Sequence, residues 1–244
     1  MIVQACINGA RAADYHPRLP LTVDCMAADA KACIAAGAAE LHIHPRADGR
    51  ESLAAIDQTI PAIRAACPGT FIGVSTGAWI EKDVMRTRDR IRQWTALPDY
   101  ASVNLSEKDA PAVISLLGEI GVGVEAGFAT VADAERFVTL PHAKRVLRIL
   151  IEIDEQDWVK GQQMTRDIEA VLLRADISRP ILLHGFDATV WRFVDLAAAR
   201  HLSTRVGLED GKHLPDGTEA CDNAELVSAA VGKFRQAQNI MAQS

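Results

Sequence analysis

Short apolar runs suited to β-strands recur along this chain, and each is followed by a stretch with helical periodicity. The runs begin near Ile2 (IVQACIN), Glu40 (ELHIH), Thr70 (TFIGVST), Tyr100 (YASVNL), Gly121 (GVGVEA), Val146 (VLRILIEI), Pro180 (PILLHGF) and Ser203 (STRVGLE). Between them, apolar residues return every three or four positions, bounded by start and stop residues. In the first such stretch Thr22 suits an N-cap, Met26, Ala30, Cys33 and Ile34 share a face, and Gly37 ends the pattern. The same signals predict helices over 52–67, with Pro61 forcing a break or kink, and over 81–96, 109–120, 130–139, 160–175, 188–200 and from 223 onward. Strict βα alternation implies a parallel sheet. Eight units in 244 residues, about 30 residues each, fit one (β/α)8 TIM-barrel domain spanning 1–244 better than an open doubly wound sheet.

The first βα turn, NGARAADYHPRLP, lacks a GxGxxG fingerprint, and no GxxxxGK[ST] occurs, which disfavours Rossmann or P-loop nucleotide binding. Lys and Arg (26) are scattered among Asp and Glu (32) for a formal charge of -6. The footprint of a nucleic-acid or anionic-membrane binder is missing, and a small-molecule partner is expected. No run approaches the eighteen or so apolar residues of a membrane helix, and Met1 leads straight into IVQACINGA; a cytoplasmic protein is the expectation. Cys6, Cys25, Cys33, Cys67 and Cys221 form no CxxC pair and are expected to be buried thiols.

Barrel enzymes carry their chemistry at the C-terminal ends of strands. The polar residues expected there are Asn8, His42 and His44, Ser75 and Thr76, Asn104 and Ser106, Glu125, Glu152 and Asp154, His184, and Glu209 with Asp210. In His42-Ile43-His44 the strand period of two turns both imidazoles to one face and Leu41 and Ile43 to the helix layer. Such a pair suits a transition metal, and a carboxylate would complete the set. Strands 8 and 2 both flank strand 1 in a closed barrel, bringing Glu209 within reach; the alternative is histidines hydrogen-bonded in a polar barrel layer. In RVGLEDG an extended strand places Arg205, Gly207 and Glu209 on one face, with space at Gly207 beside a ligand or another backbone. Glu209 and Asp210 can both enter the site where strand gives way to loop, or merely cap a polar strand end.

Taken together, NGAR, HPRLPLT, HIHPRADGRES, VSTG and RVGLED, in this order from Ala5 to about Asp210, resemble the β-keto acid cleavage enzymes. The resemblance implies a (β/α)8 barrel with a divalent metal, usually zinc (Zn2+), held by His42, His44 and Glu209. It implies condensation of a β-keto acid with acetyl-CoA as co-substrate, then release of acetoacetate and the CoA ester of the shortened acid. Asp210 matches the family's general base and Arg205 its catalytic arginine. Ser75, Thr76, Asn104 and Ser106 fall in blocks that line the substrate pocket, and Glu125 matches an acid near the site. Where members acting on an aminated substrate carry a glutamate after the first loop's Gly-Ala, this chain has Arg11, which favours a carboxylate or neutral tail. The family also implies a homo-oligomer. The chain is short for a member, and EIDEQDWVKG and LLHGFDA depart from the usual pattern, so Glu152 and His184 are either added polar functions or satisfied core residues. Competing readings are an amidohydrolase-type hydrolase, disfavoured because HIH lies on the second strand, and a non-catalytic metal- or ligand-binding barrel.

Overall fold

The computed structural model describes residues 1–241. Eight parallel strands form the barrel: β1 (Val3–Cys6), β2 (Glu40–Ile43), β3 (Phe71–Ser75), β4 (Tyr100–Asn104), β5 (Gly123–Phe128), β6 (Arg148–Ile153), β7 (Ile181–Gly185) and β8 (Thr204–Val206). Each pairs with its sequence neighbour from β1 to β7, and β8 returns to β1. The remaining seam between β7 and β8 is bridged at Ser203, whose carbonyl accepts from Leu183 N–H at 2.9 Å and whose N–H donates to Ile181 at 3.1 Å. The expected architecture is therefore the observed one.

The outer layer contains α1 (Val23–Ala35), α2 (Ile56–Ala66), α3 (Val84–Arg92), α4 (Ala110–Glu119), α5 (Val131–Val138), α6 (Trp158–Arg174), α7 (Val190–Ala199) and α8 (Asn223–Met241). Caps fall where the sequence places them. The Thr22 hydroxyl accepts from Cys25 N–H, and Thr130 with Asp133 forms a reciprocal capping box. Two helix expectations change. Pro61 does not break α2: it lies on the exposed face while Thr59, Ile60 and Ile63 are buried, so packing carries the helix across the missing N–H. The predicted helix over 81–96 splits into a single turn, Ala78–Glu81, and α3, because Lys82 is left-handed (φ 57°) and Asp83 starts a new helix by accepting from Arg86 N–H at 2.7 Å.

Packing follows the strand alternation. Leu41 and Ile43 are fully buried towards the helices, joined by Ile56, Ile60 and Ile63 of α2. The lower barrel interior is polar: Arg148 of β6 binds both Glu40 and Glu125, and Tyr100 Oη and Gln4 Nε2 also donate to Glu40. Buried charges persist where they are paired and hydrogen-bonded in this way. The thiols divide. Cys6, Cys33 and Cys67 are buried as expected, but Cys25 and Cys221 are exposed. Cys25 falls on the outer side of the first turn of α1, and Cys221 precedes α8 in a surface loop. No described helix is long and apolar enough to cross a membrane.

Candidate active site

The site is built at the C-terminal mouth of the barrel, around a cavity of about 500 Å³, a size common for small-molecule sites. His42 and His44 enter it from the end of β2 with ring centroids 5.2 Å apart. Glu209 reaches them from beyond β8, its Oε1 3.8 Å from His42 Nε2 and 3.4 Å from His44 Nε2. One ligand atom from each residue falls within 4.8 Å of the others, a grouping that can hold a metal ion. Glu209 Oε2 and His42 Nδ1 are buried without a hydrogen-bond partner among the described residues. Burial lowers the His42 imidazole to about 3, so it stands neutral with a lone pair to offer. Burial also opposes charge on His44, but the Glu209 and Glu51 carboxylates raise it to about 9. Two imidazoles and a buried carboxylate are a donor set that fits a divalent transition metal.

The backbone around these groups is held tightly. Asn8 clamps His44 from both sides, its Oδ1 accepting from His44 N–H at 2.9 Å and its Nδ2 donating to the His44 carbonyl at 3.0 Å. Arg46, whose role was not read from the sequence, donates to the Gly9 and Arg11 carbonyls and ties the first loop to the site. Gly9 adopts φ 53°, and a Cβ there would stand 2.4 Å from Glu209 Cγ, so only glycine lets Glu209 lie over this loop.

Strand β8 stops at Val206, so strand alternation does not carry Arg205, Gly207 and Glu209 to a shared face as expected. A turn over 207–210 does the work: Asp210 and Gly211 N–H both donate to the Gly207 carbonyl. The space at Gly207 serves another backbone, since a Cβ would stand 2.0 Å from the Cys6 carbonyl oxygen. The turn delivers Glu209 and Asp210 to one nitrogen, Arg205 Nη2, at 2.8 and 2.7 Å. Asp210 is fully buried behind this arginine and does not line the cavity. Burial raises its carboxyl above the ordinary value, with Arg205 opposing.

The other expected residues separate into two groups. Ser75, Asn104, Ser106, Arg11 and Arg205 line the cavity with His42, His44 and Glu209. Thr76 does not: next to the inward Ser75, it points the other way and its hydroxyl donates to the Ser102 carbonyl at 2.7 Å. Glu125 does not either, being the Arg148 partner in the polar layer below. Arg11 is already engaged, by Asp187 Oδ1 at 2.9 Å and by the Glu209 and Asp210 carbonyls at 3.0 and 3.3 Å.

One residue missed in the sequence touches the histidine pair directly. Glu51, in the two-stranded ribbon Arg46–Ala47 and Arg50–Glu51, places Oε1 2.5 Å from His44 Nδ1. Its Oε2 accepts from Trp79 Nε1 at 3.0 Å, and the Trp79 ring stacks over His44 at 6.4 Å. A carboxylate on the outer nitrogen of a histidine fixes its tautomer and aims the other nitrogen inward.

A family model described as beta-keto acid cleavage enzyme matches residues 1–153 and 158–244. Two relatives are named 3-keto-5-aminohexanoate cleavage enzyme. That of Acetoanaerobium sticklandii is 32% identical over 108 residues, covering 43% of this chain and 38% of the relative. That of Fusobacterium nucleatum is 25% identical over 249 residues, covering 95% and 90%. Among solved structures, the ternary complex of ObcA with C4-CoA adduct and oxalate superimposes with a TM-score of 0.72 at 18% identity, over 91% of this chain and 65% of that one. The binary complex of ObcA with oxaloacetate gives 0.68 at 17%, over 93% and 67%. At these identities the superpositions establish the shared barrel fold.

Proposed function

The chain belongs to the β-keto acid cleavage enzyme family, and from that premise we propose that it is a metal-dependent acyltransferase. On this reading it condenses a β-keto acid with acetyl-CoA and releases acetoacetate and the CoA ester of the remaining acyl group. The observation that carries the reading is the meeting of His42, His44 and Glu209 at a cavity where Arg205 binds Glu209 and Asp210 with one nitrogen. His42, His44 and Glu209 are the residues to hold the ion, zinc fitting their donor set. When bound, it supplies Lewis acidity that polarises the ketone and acidifies the carbon between the two carbonyls.

The rest follows from the chain's own groups. Asp210 is the general base for the proton on that carbon: it lies behind Arg205 and off the cavity wall, so the arginine side chain swings clear as substrate binds, and the raised affinity of the buried carboxyl for a proton suits the task. The carbanion attacks the acetyl-CoA thioester, forming a C–C bond and expelling the CoA thiolate. That thiolate attacks the original ketone carbon, the adjacent C–C bond breaks, and the departing acetoacetate carbanion recovers the proton from Asp210. Arg205, fixed by two carboxylates, is placed to stabilise negative charge developing beside them. Ser75, Ser106 and Asn104 supply hydrogen bonds to the bound acid. Glu125 and Thr76, turned away from the cavity, act through the scaffold rather than on the substrate. The test is a panel of β-keto acids offered with acetyl-CoA to the metal-loaded protein, scoring acetoacetate. Release from at least one acid, abolished by a chelator, is expected; a blank across anionic, neutral and amine-bearing acids refutes the assignment.

A further inference from the structure

Behind the polar wall of the cavity stands a histidine with no hydrogen bond of its own. His184 of β7 is 1% exposed and does not line the cavity, and neither ring nitrogen has a hydrogen-bond partner among the described residues. It is therefore not a satisfied core residue. Phe186 holds the ring edge-on with centroids 4.8 Å apart, which sets its plane and answers neither nitrogen. Both nitrogens face acids: Nδ1 stands 3.5 Å from Asp210 Oδ1, and Nε2 stands 3.9 Å from Glu152 Oε2. Glu152 is the register partner of His184 across β6 and β7. Asp210 comes from the turn beyond β8, and its carbonyl accepts from Asp187 N–H at 2.8 Å, so the loop leaving β7 pins the Asp210 backbone beside the ring.

Burial keeps this imidazole well below its ordinary value, so it is neutral, with one N–H to donate and one lone pair to accept. It can donate to one acid and must accept from the other. Arg205 Nη2 bonds Asp210 and Glu209 directly and does not bond Glu152, which makes Asp210 the anion of the pair. Burial raises the Glu152 carboxyl to about 7 against the Arg205 charge, which leaves it a proton to donate to Nε2 at neutral pH. Asp210 is fully buried, its Oδ2 has no partner, and among the described residues Arg205 alone donates to its carboxylate. Once Arg205 swings clear for the base to act, that buried charge would lack any donor, a costly state. His184 Nδ1 is the group that already faces it.

We propose that His184 is the positioning residue of the base: its Nδ1–H takes over Asp210 Oδ1 as Arg205 leaves, and Glu152 at Nε2 fixes the tautomer that allows it. A small rotation of the Asp210 carboxylate closes the 3.5 Å gap to a hydrogen bond. With Oδ1 held, Asp210 turns Oδ2, which nothing else binds, to the substrate carbon. Because His184 lies off the cavity, it acts through Asp210 and does not touch the substrate. The role of Asp210 as general base rests on the proposed function above; the place of the histidine proton rests on the buried geometry.

Two measurements on the zinc-loaded protein separate these. Long-range proton–nitrogen NMR spectra of protein carrying labelled histidine read the tautomer, the His184 signals being those absent from His184→Leu. A proton on Nδ1 is expected; a proton on Nε2, or on both nitrogens, overturns the proposal. The second measurement uses acetoacetate, which the proposed reaction releases whatever acid is cleaved and which is itself a β-keto acid. In heavy water, without acetyl-CoA, loss of its C2 protons above a protein-free control reports abstraction by the base. His184→Leu should lower kcat for this exchange by about 10- to 100-fold with KM within twofold, as loss of one hydrogen bond to a buried charge warrants. His184→Asn, whose amide nitrogen falls near the place of Nδ1, should recover most of the rate, and His184→Gln, whose amide reaches towards Glu152, should not. Equal rates in the parent and His184→Leu, or equal recovery by the two amides, overturns the positioning role. A parent with its proton on Nδ1 that exchanges nothing overturns the base assignment and the acyltransferase reading, while the hold of His184 on Asp210 stands.

Discussion

Glu51 offers the sharpest test of how the metal-holding residues are supported. Its carboxylate lies 2.5 Å from His44 Nδ1 and is itself held by Trp79. Replacement by Gln keeps the volume and an acceptor but removes the charge. The side chain is only 12% exposed, so solvent cannot substitute for it. A charge-assisted bond contributes about 1.5–3 kcal/mol against about 1 for a neutral one, so roughly 1–2 kcal/mol of His44 basicity and orientation is lost. At 1.36 kcal/mol per factor of ten, the zinc dissociation constant should rise by about 10-fold, within the 10- to 100-fold span seen when such outer partners are removed. Competition with a chromophoric chelator measures it directly, with His44→Ala as the reference for loss of the ligand itself. A dissociation constant within twofold of the parent would show that Glu51 only packs against His44, and the account of the ribbon's role would be wrong.

Other expectations are readily checked. Asp210→Asn should abolish turnover while one divalent ion per chain is retained by elemental analysis; unchanged activity removes the base assignment. Gly9→Ala should destabilise the fold by more than about 1 kcal/mol, given the positive φ, and weaken zinc binding because Glu209 must move; denaturant melts and chelator competition report the two effects separately. Asp29, which accepts from Asn223 Nδ2 at 2.8 Å, is raised by burial from 3.8 to about 7. The folded state therefore holds this proton to higher pH than the unfolded chain. The stability it contributes is complete below about 3.8 and is lost as pH rises through about 7, by at most ~4 kcal/mol at 1.36 kcal/mol per unit. Urea unfolding should accordingly show Asp29→Asn matching the parent at pH 4 and exceeding it at pH 8, and parallel curves would contradict the linkage.

The barrel and the histidine pair were legible because both rest on short-range periodicity. Alternation along β2 turns His42 and His44 inward whatever surrounds them, and ring closure brings the end of β8 beside β1 and β2. Glu125 shows where that reasoning stops. Its strand runs on to Phe128, so a residue that looks like a strand end stands low in the barrel, where Arg148 meets it. Thr76 fails for the complementary reason, since the residue after an inward Ser75 must face away. Glu51 had no periodic signal at all: it stands in a two-residue ribbon strand, and its direction is set by Trp79 and His44 from other parts of the chain. Glu152 was visible as an odd polar residue, but its neighbours Asn104, Gly127 and His184 come together only in space, from three other strands.

The most direct measurement of the central claim follows the acetyl group. The metal-loaded protein is given a β-keto acid and acetyl-CoA with heavy carbon in the acetyl moiety, and the products are separated by mass spectrometry. Label in acetoacetate, with an unlabelled acyl-CoA derived from the β-keto acid, is the predicted result. Label in free acetate, or retained wholly in acetyl-CoA while the β-keto acid is consumed, would contradict the account.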